Sequence, residues 1–158
     1  MRKDYFLSDL NKLIRGFFRT LRPCFIGENV HIGSNPIINP MAYIGDNVSI
    51  GDNVILGYSS VIRSKSYIGN NCLIGHLTVL EGYVVIGDNI RIQAQSHIPR
   101  YTIIEDGVFI GPCFMAVNTN TITHMRAEKP FSKGPVIRRL ARLGGNATLL
   151  PGVTIGEN

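Results

Sequence analysis

From Ile26 to Ile110 an aliphatic residue returns at every sixth place without a break: Ile26, Ile32, Ile38, Ile44, Ile50, Leu56, Ile62, Ile68, Ile74, Leu80, Ile86, Ile92, Ile98, Ile104 and Ile110, with Ala116 closing the row. The residue that follows is Gly in nine of these fifteen units: Gly27, Gly33, Gly45, Gly51, Gly57, Gly69, Gly75, Gly87 and Gly111. Four places after the first residue stands a small or β-branched side chain in most units, among them Val30, Ala42, Val48, Val54, Ser60, Ser66, Thr78, Val84, Ser96 and Thr102. A short constant period predicts a solenoid, in which each unit buries its apolar row only against the units above and below. Six residues make one extended segment and one bend. Side chains alternate along a strand, so the first and fifth residues point inward and the second, fourth and sixth outward. Gly at the second place, and Asp46-Asn47, Asp52-Asn53, Asn70-Asn71 and Asp88-Asn89 beyond it, supply residues that tolerate tight bends and positive φ.

The first twenty-two residues do not share this period. Phe6, Leu7, Leu10, Leu13, Ile14, Phe17, Phe18 and Leu21 recur at three- and four-residue spacing, which predicts a helix over residues 1–22 that Pro23 stops. Arg2, Lys3, Lys12, Arg15, Arg19 and Arg22 face only Asp4 and Asp9, so its other side is basic. Two readings stand: a cap on the open end of the coil, which is preferred, and a peripheral helix on an anionic membrane. Asp9, Lys12 and Arg15 interrupt any apolar core, which excludes a signal peptide, and no run is long enough to span a bilayer.

The unit Ile44-Gly45-Asp46-Asn47-Val48-Ser49 resembles the repeat of the hexapeptide-repeat acyltransferases, and the resemblance extends from Ile26 to the C-terminus. It implies an all-β fold, a left-handed parallel β-helix with three units per turn, normally a homotrimer. Neither handedness nor oligomeric state follows from the period itself, since crossovers between parallel strands are otherwise nearly always right-handed. The expected organisation is a helix over 1–22 and a β-helix domain over 23–158 that carries a loop at 117–136. Asn158 falls part-way through a unit, so further sequence is expected beyond it.

Length and composition suit one such domain. The chain has 158 residues, 17% of them charged, and no Trp. Three cysteines, Cys24, Cys72 and Cys113, show no metal-ligand spacing, and their odd number suits a reducing compartment. Cys72 falls on an inward place; Cys113 falls on an outward one, where a reactive thiol is the minor reading. The stretch from Ile74 to Gly82 resembles the zinc-binding segment of γ-class carbonic anhydrases, but that site needs three imidazoles. Beside His76 stands only Glu81, and no imidazole lies near Val54 one coil earlier, so no metal is expected. His31 reads as a solvated surface residue and His76 as an outward residue at a subunit contact.

Two stretches depart from the regular pattern. In Ile92-Gln93-Ala94-Gln95-Ser96-His97-Ile98 no Gly holds the second place, and alternation sets Gln93, Gln95 and His97 together on the outer surface. After Ala116 the row breaks and resumes at Ile137, Leu143, Leu149 and Ile155, which predicts a polar loop thrown out from one corner. Inserted loops on a regular scaffold usually carry function. Asn118 stands eighteen residues after Arg100, so the two are expected on one corner, with the Gln95 and His97 row flanking it.

Phe109-Ile110-Gly111-Pro112, Asn118, the basic loop and the run from Ala141 to Gly156 resemble the nucleotide-sugar N-acetyltransferases of the same superfamily, enzymes of surface-polysaccharide and glycoprotein-glycan synthesis. That resemblance implies acetyl-CoA as co-substrate and a nucleotide-linked amino sugar as acceptor. It carries an Asn onto Asn118 and a Gln onto Gln93; Ala94 and Gln95 depart from the family's Gln-Asn-Asn run. It also lays Gly144 to Thr148, with Gly145 and Ala147, along the pantetheine through the main chain. Sites between subunits and a cytoplasmic location are expected with it, at the inner face of the membrane if residues 1–22 bind there.

Acyl transfer from a thioester to an amine needs a neutral amine, an oriented carbonyl and stabilisation of the tetrahedral oxyanion. For an amino sugar, amides such as Asn118 and Gln95 can suffice. A hydroxyl acceptor would demand a base, for which His97 and His124 are the candidates. Gln93, Arg100, Arg126 and Lys133 are the candidate acceptor-binding residues, and Arg138, Arg139 and Arg142 those for the phosphates of coenzyme A. The net charge of +5 gathers at the two ends of the chain, and no aromatic row accompanies it, so nucleic acid is not expected as a partner. A non-catalytic scaffold subunit is the rival class.

Overall fold

A computed structural model of the chain describes residues 23–122, 124, 125, 127 and 132–158. The expected N-terminal helix lies outside the described residues. Twenty two-residue strands follow one another, from Phe25–Ile26 to Thr154–Ile155, and every pairing between them is parallel. They form three sheets of seven, seven and six strands, each holding every third strand of the chain. The first face carries Tyr43–Ile44, Val61–Ile62, Val79–Leu80, His97–Ile98, Met115–Ala116 and Thr148–Leu149. The second carries His31–Ile32 to Thr154–Ile155, and the third Ile37–Ile38 to Arg142–Leu143. The chain is thus a three-sided parallel β-solenoid of about seven turns. Residues eighteen apart are stacked neighbours: Tyr43 pairs with Val61, Val61 with Val79 and Val79 with His97.

The inward rows are as the period predicts. Ile44, Leu56, Ile62, Ile68, Ile74, Leu80, Ile86, Ile92 and Ile98 are fully buried, and so are the fifth-place residues Val48, Thr78, Val84 and Ile90. Phe114 and Ala116 are both at 0% exposure, a large fifth-place side chain next to a small first-place one. Cys72 lies in this core, donates through Sγ to the Asn70 and Gly87 carbonyls, and burial pushes its thiol above the ordinary cysteine value.

The bends work differently from the expectation at the second place. Positive φ occurs at the fourth residue of the unit, at 53° to 58° for Asn29, Asn35, Asn47, Asn53, Asn71 and Asn89. The second-place glycines are needed for closeness instead: a Cβ on Gly75 would stand 2.5 Å from the Ala94 nitrogen, and one on Gly57 2.5 Å from that of His76. The coils stack too tightly there for any side chain. Above them, third-place side chains cap the amide one coil below, as Asp46 Oδ1 does for the Glu28 N–H at 2.9 Å. His76 does the same work, its Nδ1 accepting the Tyr58 N–H at 2.8 Å.

Beyond Ala116 the register survives the insertion. Met115 pairs with Thr148, thirty-three residues on, which is one eighteen-residue coil plus a fifteen-residue excursion.

Candidate active site

Each coil has three corners, and the sequence-selected residues fall on all of them. The third corner, which joins the third face to the first, stacks Tyr58, His76, Ala94, Pro112 and Gly145 one above another. Gln93 and Gln95 lie in this bend between Arg91–Ile92 and His97–Ile98, whereas His97 opens the following strand. They are therefore not three side chains of one strand, as alternation suggested, because the bend takes up four residues and only the sixth residue of a unit and the first of the next pair in a sheet. Gln95 holds φ at 60°, and its Oε1 accepts a hydrogen bond from Cys113 Sγ at 3.5 Å, one coil above. One further coil up, Gly144 and Gly145 are exposed, and nothing lies within 4 Å of where a Gly144 side chain would stand. Ala147 is half-buried and closes this turn with its N–H on the Gly144 carbonyl at 3.3 Å.

The first corner joins the first face to the second and holds the root of the loop. Asn118 donates from Nδ2 to the Arg100 carbonyl at 3.5 Å, and its own carbonyl accepts the Lys133 N–H at 2.8 Å. The Lys133 carbonyl in turn accepts the Gly152 N–H at 2.9 Å, so the loop leaves and returns at one stitched point. Arg100 and Asn118 share a corner as expected. Gln95 and His97 do not flank it: each six-residue unit turns the chain to the next face, which leaves Gln95 one corner back. His97 lies between, half-buried on the first face beside Val79 and Met115. His124 is exposed in the loop and makes no hydrogen bond among the described residues. Arg126 lies outside the described residues.

The basic groups given to the donor are also divided. Arg138 and Arg139 sit on the second corner, where Arg138 pairs with Glu105 and the Arg139 N–H donates to Glu105 Oε2 at 3.1 Å. Arg142 opens a strand of the third face, exposed, and pairs in register with Phe109, which pairs with Arg91. Among the described residues no group of His, Cys, Asp and Glu side chains could hold a metal ion.

One cluster escaped the sequence reading. On the first corner Arg63, Lys65, Glu81, Tyr83, Arg100 and Tyr101 come together, with Arg63 paired to Glu81 at 2.7 Å. The signal was present in the chain: Lys65, Tyr83 and Tyr101 hold the same place in units eighteen residues apart, and only the coil length brings them into line.

A family model described as the GMPPB C-terminal domain matches residues 20–126. Among curated proteins none matches the sequence. Among solved structures, a perosamine N-acetyltransferase mutant from Caulobacter crescentus, in complex with CoA and GDP-perosamine, is similar at a TM-score of 0.56 and 15% identity, over 94% of this chain and 58% of that one. UDP-N-acetylglucosamine O-acyltransferase from Moraxella catarrhalis RH4 gives 0.44 and 16% over 80% of this chain and 58% of that one. The first likeness carries the fold, a parallel β-helix. The chain spans 58% of the length of each of these proteins.

Proposed function

The chain belongs to the family of the GMPPB C-terminal domain, and from that premise we propose that it is an acyltransferase, one that moves an acetyl group from acetyl-CoA to the amine of a nucleotide-linked amino sugar. The observation that carries this reading is the bare turn at Gly144 and Gly145, with no atom within 4 Å of an added Gly144 side chain. It stands on the third corner above Pro112 and Ala94, beside the column of Cys113 and Gln95. A narrow flexible chain such as pantetheine can lie against such a turn and meet main-chain donors and acceptors there. In support, the perosamine N-acetyltransferase of similar fold was solved with CoA and GDP-perosamine.

In this reading the neutral sugar amine attacks the thioester carbonyl, and a C–N bond forms as the carbonyl becomes an oxyanion. Collapse expels the CoA thiolate, which takes up the proton lost by nitrogen, so amide and thiol leave in equal amounts. Asn118 and Gln95 have amide donors to orient the amine and the carbonyl. They stand on successive corners one coil apart, on either side of the first face, and a homotrimer would bring one copy's loop against another's glycine turn. Cytoplasmic location follows from the donor the reading requires.

Release of free CoA thiol from acetyl-CoA, measured with UDP-, GDP- and dTDP-linked amino sugars against hydroxyl sugars, tests it. Release with amino sugars alone is expected, and Asn118→Ala should lower turnover at least about tenfold, some 1.4 kcal/mol of barrier, without changing the oligomer. Release with hydroxyl acceptors would shift the role of base to His97 or His124. Silence with every acceptor and no acetyl-CoA binding would overturn the enzyme in favour of a scaffold.

A further inference from the structure

The first corner carries charge that the coil itself does not use. Lys65 Nζ lies 5.2 Å and Arg100 Cζ 4.8 Å from the centre of the Tyr83 ring, and Arg100 Cζ lies 5.6 Å from that of Tyr101. The two rings are 5.5 Å apart and inclined at 44°. Glu81 is the carboxylate of the group and is paired with Arg63. Lys65 and Arg100 have no carboxylate partner among the described residues. Arg63, Ser64, Glu81, Tyr83 and Arg100 line a cleft of about 120 Å3 beside them.

The backbone brings these side chains into line. Lys65, Tyr83 and Tyr101 all hold the left-handed fourth place, at φ of 62°, 53° and 66°, which Asn29 and Asn47 hold in the two coils below. Met41, Leu77 and Leu140 hold the same conformation on the other corners, so the bend is the coil's ordinary one. What sets this corner apart is that the three side chains converge, holding two cations over an aromatic pair.

We propose that the Lys65–Tyr83–Arg100 corner is a binding site for a diphosphate-bearing small molecule, a nucleoside diphosphate in particular. The proposal does not depend on acyl transfer, because its readout is binding. Two cations without carboxylate partners match the two or more negative charges of a diphosphate, and guanidinium and ammonium groups both serve phosphate oxygens. The base would lie over Tyr101, which is 45% exposed, in the manner of base–aromatic stacking. A nucleic acid strand is disfavoured, since a polymer continuing down this corner would meet Asp46 and Glu28 in the next two coils. The site also adjoins the loop, because the Arg100 carbonyl is the acceptor for Asn118.

Calorimetric titration of the full chain with GDP, UDP and dTDP, their nucleosides and inorganic pyrophosphate tests this. The diphosphates should bind at least tenfold more tightly than the nucleosides and weaken as salt rises. Lys65→Gln should cost at least threefold in affinity and Tyr83→Asn at least tenfold. Asn is at ease at positive φ, so Tyr83→Asn should melt no lower than the parent chain. Absence of binding by every phosphorylated ligand, or unchanged affinity in both variants, would overturn the site. Pyrophosphate binding as tightly as GDP would overturn the nucleoside part.

Discussion

At the fifth place of a unit a side chain must end inside the coil, and five of those places carry a buried hydroxyl: Ser60, Ser66, Thr78, Ser96 and Thr102. Four of them find a carbonyl. Ser66 donates to Arg63, Thr78 and Ser96 to Gln93, and Thr102 to Pro99 at 2.7 Å. Ser60 Oγ is buried without a partner among the described residues. An unmet buried hydroxyl costs about 1–3 kcal/mol, whereas a met one contributes about 1 kcal/mol. Ser60→Ala is therefore expected to be neutral or to stabilise by up to about 1 kcal/mol, and Thr102→Ala to cost about that much. Urea unfolding of both variants checks it, and equal losses would contradict the assignment. The inward direction of these residues was legible from the period. Which hydroxyl lacks a carbonyl was not, because that depends on the rotamer and on the bend just before it. Nor could the sequence show Met41, Leu77 and Tyr83 at φ of 62°, 56° and 53°, since such side chains avoid that region unless the coil imposes it.

A two-residue strand has no stability of its own, so each one depends on the ladder and on side chains that tie successive coils at the corners. The second corner shows this most fully. Asn35 Nδ2 donates to Asn53 Oδ1, Asn53 to Asn71 and Asn71 to Asn89, while Asp52, Asn70, Asp88 and Asp106 cap amides one coil below. Where the ladder ends, Arg138 and the Arg139 N–H take over by binding Glu105. The Arg138 hydrogen bond holds the Glu105 carboxyl below its ordinary value, against the opposing effect of partial desolvation. A depressed folded-state pKa stabilises fully above the ordinary carboxylate range and loses that contribution as pH falls through the folded value. Glu105→Gln should thus melt below the parent at pH 7, and the gap should close under acid, below the ordinary carboxylate range. A gap that stays constant with pH would remove the ion pair from the account. The pairing was hidden in the sequence because Glu105 and Arg138 are thirty-three residues apart, and only removal of the fifteen-residue excursion brings them to one coil. The same arithmetic separates Gln95 from Asn118: residues eighteen apart are stacked, whereas Asn118 comes one coil and most of a further unit after Gln95, which carries it to the next corner.

Taken as a whole, the coil is a one-dimensional stack in which each turn touches only the turns beside it. Burial is uneven along it. Ile44 to Ile98 are almost entirely hidden, while Phe25 and Ile26 are 55% and 46% exposed and Ile155 is only half-buried. Amides in the strands from Tyr43 to Ile110 should therefore exchange with solvent more slowly than those of Phe25–Ile26 and His31–Ile32, by hydrogen exchange on the native protein. Equal rates throughout would mean that the stack opens as a single block. The architecture was legible at this scale because one period repeats without interruption for ninety residues, from Ile26 to Met115. The charge cluster on the first corner was not, for its residues are spread over three turns and only the coil length brings them into line. The excursion after Ala116 has a different meaning. Its two ends are pinned to each other by the Lys133 N–H on the Asn118 carbonyl, and the strands resume their alignment above it. For descent this makes residues 119–132 an exchangeable cassette: heredity can rewrite its length and sequence without touching what folds, so ancestry read from the solenoid says little about what the cassette contains.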